Sequence, residues 1–228
     1  MANKAVVLAS SELPAHLQAS SGLGNENIKT EHLQVPRLKQ MQGISPECDK
    51  YHANYVEGAD IGHWLITPSN QNLGEEVYAL NVKFTENFVI WGDRESGGGM
   101  KGSFNSMMEA ETALAAVADK ANCYIEESHD HVLLLVDPVT GEASDQAVLF
   151  SMSRSKMGTS RNWNTQIVAK PGDRFSSLWK LASVRVEGKK GTFMKTDVSW
   201  VGYAQEAHYE SAKSKYLSMT PNAVSAAA

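Results

Sequence analysis

LWKLASVRVEGKKGTFMKTDVSWVGY, residues 178–203, is the stretch that decides the fold. Leu178 to Val186 and Thr192 to Tyr203 alternate apolar and polar side chains about Glu187-Gly188-Lys189-Lys190-Gly191. Period two is the period of a strand, and a glycine-bounded break between two such runs is a hairpin turn. Upstream, Ala147 to Met152 and His131 to Asp137 read as a second hairpin across the turn Asp137-Pro138-Val139-Thr140-Gly141. Val77 to Phe84 and Phe88 to Trp91 are β-branched and aromatic runs, read as two strands joined by Thr85-Glu86-Asn87. Gly62 to Thr67 is a short strand closed by Pro68-Ser69-Asn70, and Arg94 to Gly99 is a flexible loop. Ser106 to Lys120 reads as a helix, with Ser106 as its cap and Glu109 three residues on. Ser153 to Val168 is ambiguous, because Gly158 interrupts a helix and polar residues surround Trp163. Ala204 to Leu217 reads as a terminal helix.

The class these elements give is mainly β with accessory helices, an oligonucleotide-binding (OB)-like small barrel with N- and C-terminal extensions. The domain plan has three parts. Residues 1–35, rich in Ala, Ser, Asn, Gly and Glu, form a flexible N-terminal extension. Residues 36–204 form the OB-like β-barrel domain, with the inserted helix near 106–120. Residues 205–228 hold the C-terminal helix and a disordered tail. Val35 to Glu47, with two prolines, reads as extended chain with at most a short helix.

The 228 residues are 42% hydrophobic and 21% charged, an ordinary globular balance. The longest apolar run, Val132 to Val136, is far short of the ~20 residues a membrane span needs. The N-terminus has no apolar core of a signal peptide, so no membrane partner and a cytoplasmic site are expected. Cys48 and Cys123 lie in no CxxC or Cys/His cluster and read as two free thiols.

Net charge is −5, but its distribution says more than its sum. Residues 1–150 carry 9 Lys/Arg against 21 Asp/Glu, whereas residues 151–200 carry 10 against 3. The late basic block interleaves cations with aromatic rings: Arg154, Lys156, Arg161, Trp163, Lys170, Arg174, Phe175, Trp179, Lys180, Arg185, Lys189, Lys190, Phe193 and Lys195. Single-strand binding needs that pairing, because cations track phosphates while ring faces stack exposed bases. All of these except Lys170 make up the candidate nucleic-acid-binding set. The competing reading is a solvated strand face whose lysines neutralise the acidic half, with each tryptophan in the core. Ser151 to Arg161 alternates hydroxyls and cations, both of which donate to phosphate oxygens.

Other chemistry has little support. No GxxxxGK[ST] or GxSxG string occurs, and Gly97-Gly98-Gly99 lacks the dinucleotide-binding spacing. Glu126-Glu127 and Glu75-Glu76 read as solvated acids at loop ends. His129 and His131 share a strand face, yet no further ligand is evident nearby in sequence, so no metal is assigned. The expectation is no enzyme, no catalytic residue and no cofactor.

Three segments, in order, carry a resemblance. They are Val35-Pro36-Arg37-Leu38-Lys39-Gln40-Met41-Gln42-Gly43-Ile44-Ser45-Pro46-Glu47; Gly58-Ala59-Asp60-Ile61-Gly62 with the later Trp91 to Gly99; and Ser160-Arg161-Asn162-Trp163-Asn164-Thr165 followed by Phe175, Trp179 and Lys180. Together they resemble a tailed-phage single-stranded DNA-binding protein family of the replication module. The resemblance spans about residues 35–216. It implies an OB barrel, single-stranded DNA as partner without sequence preference, a role in phage replication or recombination, and the host cytoplasm. Phage replication proteins and a homo-oligomer are admitted as further partners. Several such proteins end in an acidic recruiting tail, whereas this chain ends in Ala and Ser, which shifts any acidic docking face to residues 109–145. The alternative is a non-enzymatic phage structural or protein-interaction protein that assembles through complementary acidic and basic faces.

Overall fold

Val132 to Val136 is apolar without a break because its strand is covered on both sides. A computed structural model describes residue 27, residues 34–188 and residues 191–220. The strands described are β1 (Arg37–Gln40), β2 (Trp64–Thr67), β3 (Gln71–Asn72), β4 (Glu76–Gly92), β5 (Met100–Phe104), β6 (Cys123–Val136), β7 (Ala143–Ser153), β8 (Ser177–Gly188) and β9 (Gly191–Tyr203). They form one sheet in the order β3-β2-β1-β7-β6-β4-β8-β9, with β5 pairing β4 off that path. All described neighbours are antiparallel except β1 and β7. The sheet curls strongly into a half-barrel, which upholds the mainly β class and is compatible with a small barrel with extensions.

The helices α1 (Met107–Ala116), α2 (Met157–Val168) and α3 (Glu206–Met219) accompany it. Pleating sends successive side chains to opposite faces. Leu133 and Leu135 therefore join one buried cluster with Trp64, Phe150, Trp179 and, from α2, Trp163 and Ile167. Leu134 and Val136 join the other, with Phe175 and, from α3, Ala212.

The structure departs from the sequence-based expectation in its long strands. Val77–Phe84 and Phe88–Trp91 are not two strands but one, β4, of 17 residues. Thr85, Glu86 and Asn87 pair with Asp130, His129 and Ser128 of β6, and Asn87 Nδ2 donates to Asp130 Oδ2 at 2.6 Å. A polar triplet facing a polar triplet continues the ladder instead of ending it. β6 likewise starts at Cys123, so His129 and His131 lie within the strand and not at its entrance. The inserted helix ends at Ala116 rather than Lys120, where Val117 turns extended. Its cap is as expected: Glu109 N donates to Ser106 Oγ at 3.2 Å. Ser106→Ala should lower the local stability of α1 by about 1 kcal/mol, read as faster amide exchange at Glu109.

The ambiguous segment resolves as α2, and the hairpin forms with Gly188 opposite Gly191. Cys48 and Cys123 are free thiols. No described helix is long and apolar enough to cross a membrane. The N-terminal extension, apart from Asn27, Gln34 and Val35, and the tail from Pro221 lie outside the described residues.

Candidate nucleic-acid interface

The β8–β9 ribbon ends the sheet, and β9 is an edge strand. Its register sorts the basic block. Val184 pairs Lys195 and Val186 pairs Phe193, placing those four side chains on one face. Arg185 pairs Met194 and points to the other. The two cations sit on adjacent residue pairs, one step of ~3.3 Å apart along the ribbon. Neither has an ion-pair partner among the described residues.

Each also lines a hollow. Arg185 borders one of about 340 Å³ with Phe193, Thr192, Met194, Ile61 and Asp60. Lys195 borders one of about 200 Å³ between β9 and the first turn of α2, with Gly158, Thr159 and Asn162. A larger hollow of about 480 Å³ includes Glu76, Asp137 and Glu142 in its wall and no cation, so its charge opposes a polyanion.

The rest of the predicted set is dispersed. Trp163 and Trp179 are fully buried and Phe175 is 5% exposed, so none has a ring face open to a base. Phe175 packs between Tyr209 and Tyr216 of α3. Arg154 is ion-paired with Glu126 and lies over the Tyr124 ring. Arg161 reaches Glu127 at 3.6 Å, and Lys180 reaches Glu76 at 3.1 Å. Lys156 lies over the Phe150 ring, where burial pushes its ammonium pKa down. Arg174 donates to Asn164 Oδ1 at 2.6 Å and lies over Phe84, with its pKa lowered to about 10 by desolvation. Lys189 and Lys190, at the hairpin tip, lie outside the described residues. Of the described set, Arg185, Phe193 and Lys195 are left exposed on the ribbon, Phe193 and Lys195 on one face and Arg185 on the other.

It adds residues the sequence set omits. Trp200 is 41% exposed and Tyr203 56% exposed, and their rings meet edge to face at 5.4 Å. Lys170 Nζ stands 4.0 Å from the Trp200 ring centroid, and Trp200 Nε1 donates to Ser177 Oγ at 3.2 Å. Strict alternation would place Trp200 beside buried Val198 in the core. The ladder does pair Trp200 with buried Trp179 and shifts register just beyond that pair, leaving Val201 unpaired, yet on this edge strand the Trp200 ring stays part-exposed. Only Lys170, within the basic block, signals this corner in the sequence.

His129 and His131 hold buried hydrogen bonds rather than an open face. Ser160 Oγ of α2 lies 2.8 Å from His129 Nδ1 and 2.7 Å from His131 Nε2. Burial keeps the His131 imidazole neutral, with its pKa lowered to about 3, and nearby Arg174 and His129 add to that shift.

No curated protein and no solved structure matches the chain. A family model, described as Pam3 phage gp34-like protein, matches residues 3–225, nearly the whole chain, and so the protein with this curled sheet and cationic edge ribbon belongs to the Pam3 phage gp34-like family.

Proposed function

We propose that this phage protein binds single-stranded DNA without sequence preference, along the β8–β9 edge ribbon, in phage DNA replication or recombination in the host cytoplasm. It acts as a binding protein and not as an enzyme, using the curled sheet as an OB-like platform. One observation carries the reading: Arg185 and Lys195, uncommitted to any described carboxylate, both line hollows on a ribbon that exposes Phe193 and Trp200. Cations would hold the phosphates while the exposed rings stack bases, each worth ~1–3 kcal/mol. Backbone capture of this kind carries no base code. The ion pairs of Arg154, Arg161 and Lys180 shrink the interface from the whole basic block to its end.

A gel shift of labelled oligo-dT against duplex, at low and moderate salt, tests this. The expected result is preference for oligo-dT and a loss of affinity as salt rises. No binding at low salt would reject the reading. Lys189→Glu with Lys190→Glu should weaken binding to all sequences alike and flatten the salt dependence. Trp200→Ala should cost about 1–3 kcal/mol of oligo-dT affinity, seen as a roughly 5- to 150-fold rise in Kd.

The open edge of β9, with Val201 and Tyr203 exposed, favours a second reading: a non-enzymatic phage structural or interaction protein that assembles with neighbours. A stable oligomer in light scattering, with no oligonucleotide affinity, would favour it.

A further inference from the structure

We infer that Glu86, Glu127 and His129 form a binding site for a divalent first-row metal ion such as Zn²⁺ or Mn²⁺, away from the β8–β9 ribbon. Glu127 and His129 are two apart on β6, and Glu86 is paired directly opposite His129 on β4. All three side chains therefore leave the same face of the sheet. A carboxylate oxygen of each glutamate and His129 Nε2 lie within 4.8 Å of one another. Nε2 is 3.2 Å from Glu127 Oε1 and 3.9 Å from Glu86 Oε1. The glutamates are partly exposed and His129 is 6% exposed, so the site is open on one side and fixed on the other. One imidazole with two carboxylates is a hard-to-borderline donor set, and solvent can complete the coordination.

The chain behind His129 supports the assignment. A ligating histidine needs its second nitrogen held, which sets the ring's angle and tautomer. His129 Nδ1 is held by Ser160 Oγ, which also meets His131 Nε2, whose Nδ1 in turn meets Asn81 Nδ2 at 2.9 Å. Asn81, Ser160 and His131 are completely buried.

In one arrangement of the relay the Asn81 amide donates to His131, His131 to Ser160 and Ser160 to His129, so His129 Nε2 carries its proton toward the glutamates. The far side of the amide is unanchored, because Asn81 Oδ1 is buried without a partner. Rotating the amide by a half turn presents its oxygen to His131, and every donor in the relay then reverses. His129 now donates through Nδ1, and its Nε2 lone pair faces Glu86 and Glu127. The relay gives His129 a ligating state without changing its total number of protons. Arg161, 3.6 Å from Glu127 Oε1, competes with the ion for that oxygen.

The test titrates ZnCl₂ and MnCl₂ into the full chain stripped with EDTA, followed by calorimetry and by ¹⁵N spectra of the histidine rings. Expected are one equivalent bound, a loss of at least tenfold in affinity in Glu86→Gln, and tighter binding in Arg161→Ala. On loading, His129 and His131 should both exchange the Nε2–H form for the Nδ1–H form. Ser160→Ala, a positioning change, should weaken binding while leaving Glu86 and Glu127 in place. Absence of binding, equal affinity in Glu86→Gln, or unchanged ring tautomers on loading would each overturn the assignment. Glu86 is exposed, so Glu86→Gln is expected to fold.

Discussion

Trp163→Ala should destabilise the protein by about 3–5 kcal/mol, the usual loss for a large aromatic side chain deleted from a packed core. Trp163 is fully buried, lies parallel to the His131 ring at a centroid distance of 4.7 Å and meets Trp179 edge on at 6.1 Å. With Ile167 it is the apolar anchor of α2 on the sheet. The truncation would leave a cavity beside the buried imidazole and loosen the helix that supplies Ser160. Trp163→Phe should cost much less, about 1–2 kcal/mol, because the indole Nε1 has no hydrogen-bond partner to lose. Urea unfolding measures both. A loss under 1 kcal/mol for the alanine variant would show that α2 does not depend on this anchor.

The second large effect is a loss of stability in acid from His131. In the folded protein its ring takes up a proton only near pH 3, against an ordinary value of 6.5, because burial disfavours the charged form. Between those values the unfolded chain binds more protons than the folded one. The group's contribution is therefore complete above pH 6.5 and drains away as pH falls toward 3. At ~1.4 kcal/mol per pH unit, the span amounts to about 4–5 kcal/mol at most. Urea midpoints at pH 7, 5.5 and 4.5, with EDTA present, should fall steeply in the wild type. The slope should be shallower in His131→Gln, even though that variant starts from lower stability at pH 7. Parallel slopes for the two proteins would contradict the assignment. Carboxylate pairs titrate in both proteins, so they cancel in the comparison.

These two effects centre on a part of the molecule that the sequence left ambiguous. α2 carries Gly158 and a largely polar surface, and its hydrophobic contact rests on Trp163 and Ile167. Such a helix has little periodic signal, since tertiary packing supplies most of its stability. The β8–β9 hairpin was legible because each strand shows its own alternation and glycines flank the turn. β4 was misdivided because Thr85-Glu86-Asn87 looks like a break until the polar triplet of β6 lies opposite.

The interface was legible only in outline, for a related reason. Charge clustering along the chain locates the cations but not their partners, and those come from distant strands. Glu126 and Glu127 on β6 take up Arg154 and Arg161, and Glu76 on β4 takes up Lys180. Among the described cations of the predicted set, Arg185 and Lys195 are left for an outside anion. Trp200 read as a core residue like Trp163 and Trp179, since the alternation pairs it with buried Trp179, but on the edge strand its ring stays 41% exposed. The glutamates around His129 were missed likewise. Glu127 is two residues away in sequence, but it read as one of two solvated acids, and Glu86 arrives only through the β4–β6 register.

The salt dependence of oligo-dT affinity tests the central claim most directly, followed through the fluorescence of Trp200, whose ring is exposed while Trp64, Trp163 and Trp179 are buried and Trp91 is half-buried. Three to five phosphate contacts, from Lys170, Arg185 and Lys195 with the tip lysines, should give a slope of log Kobs against log salt of about −2 to −3.5. Quenching should accompany binding and largely disappear in Trp200→Phe. A slope near zero, or affinity unchanged in a Lys195→Glu, Arg185→Glu variant, would contradict a DNA path along this ribbon.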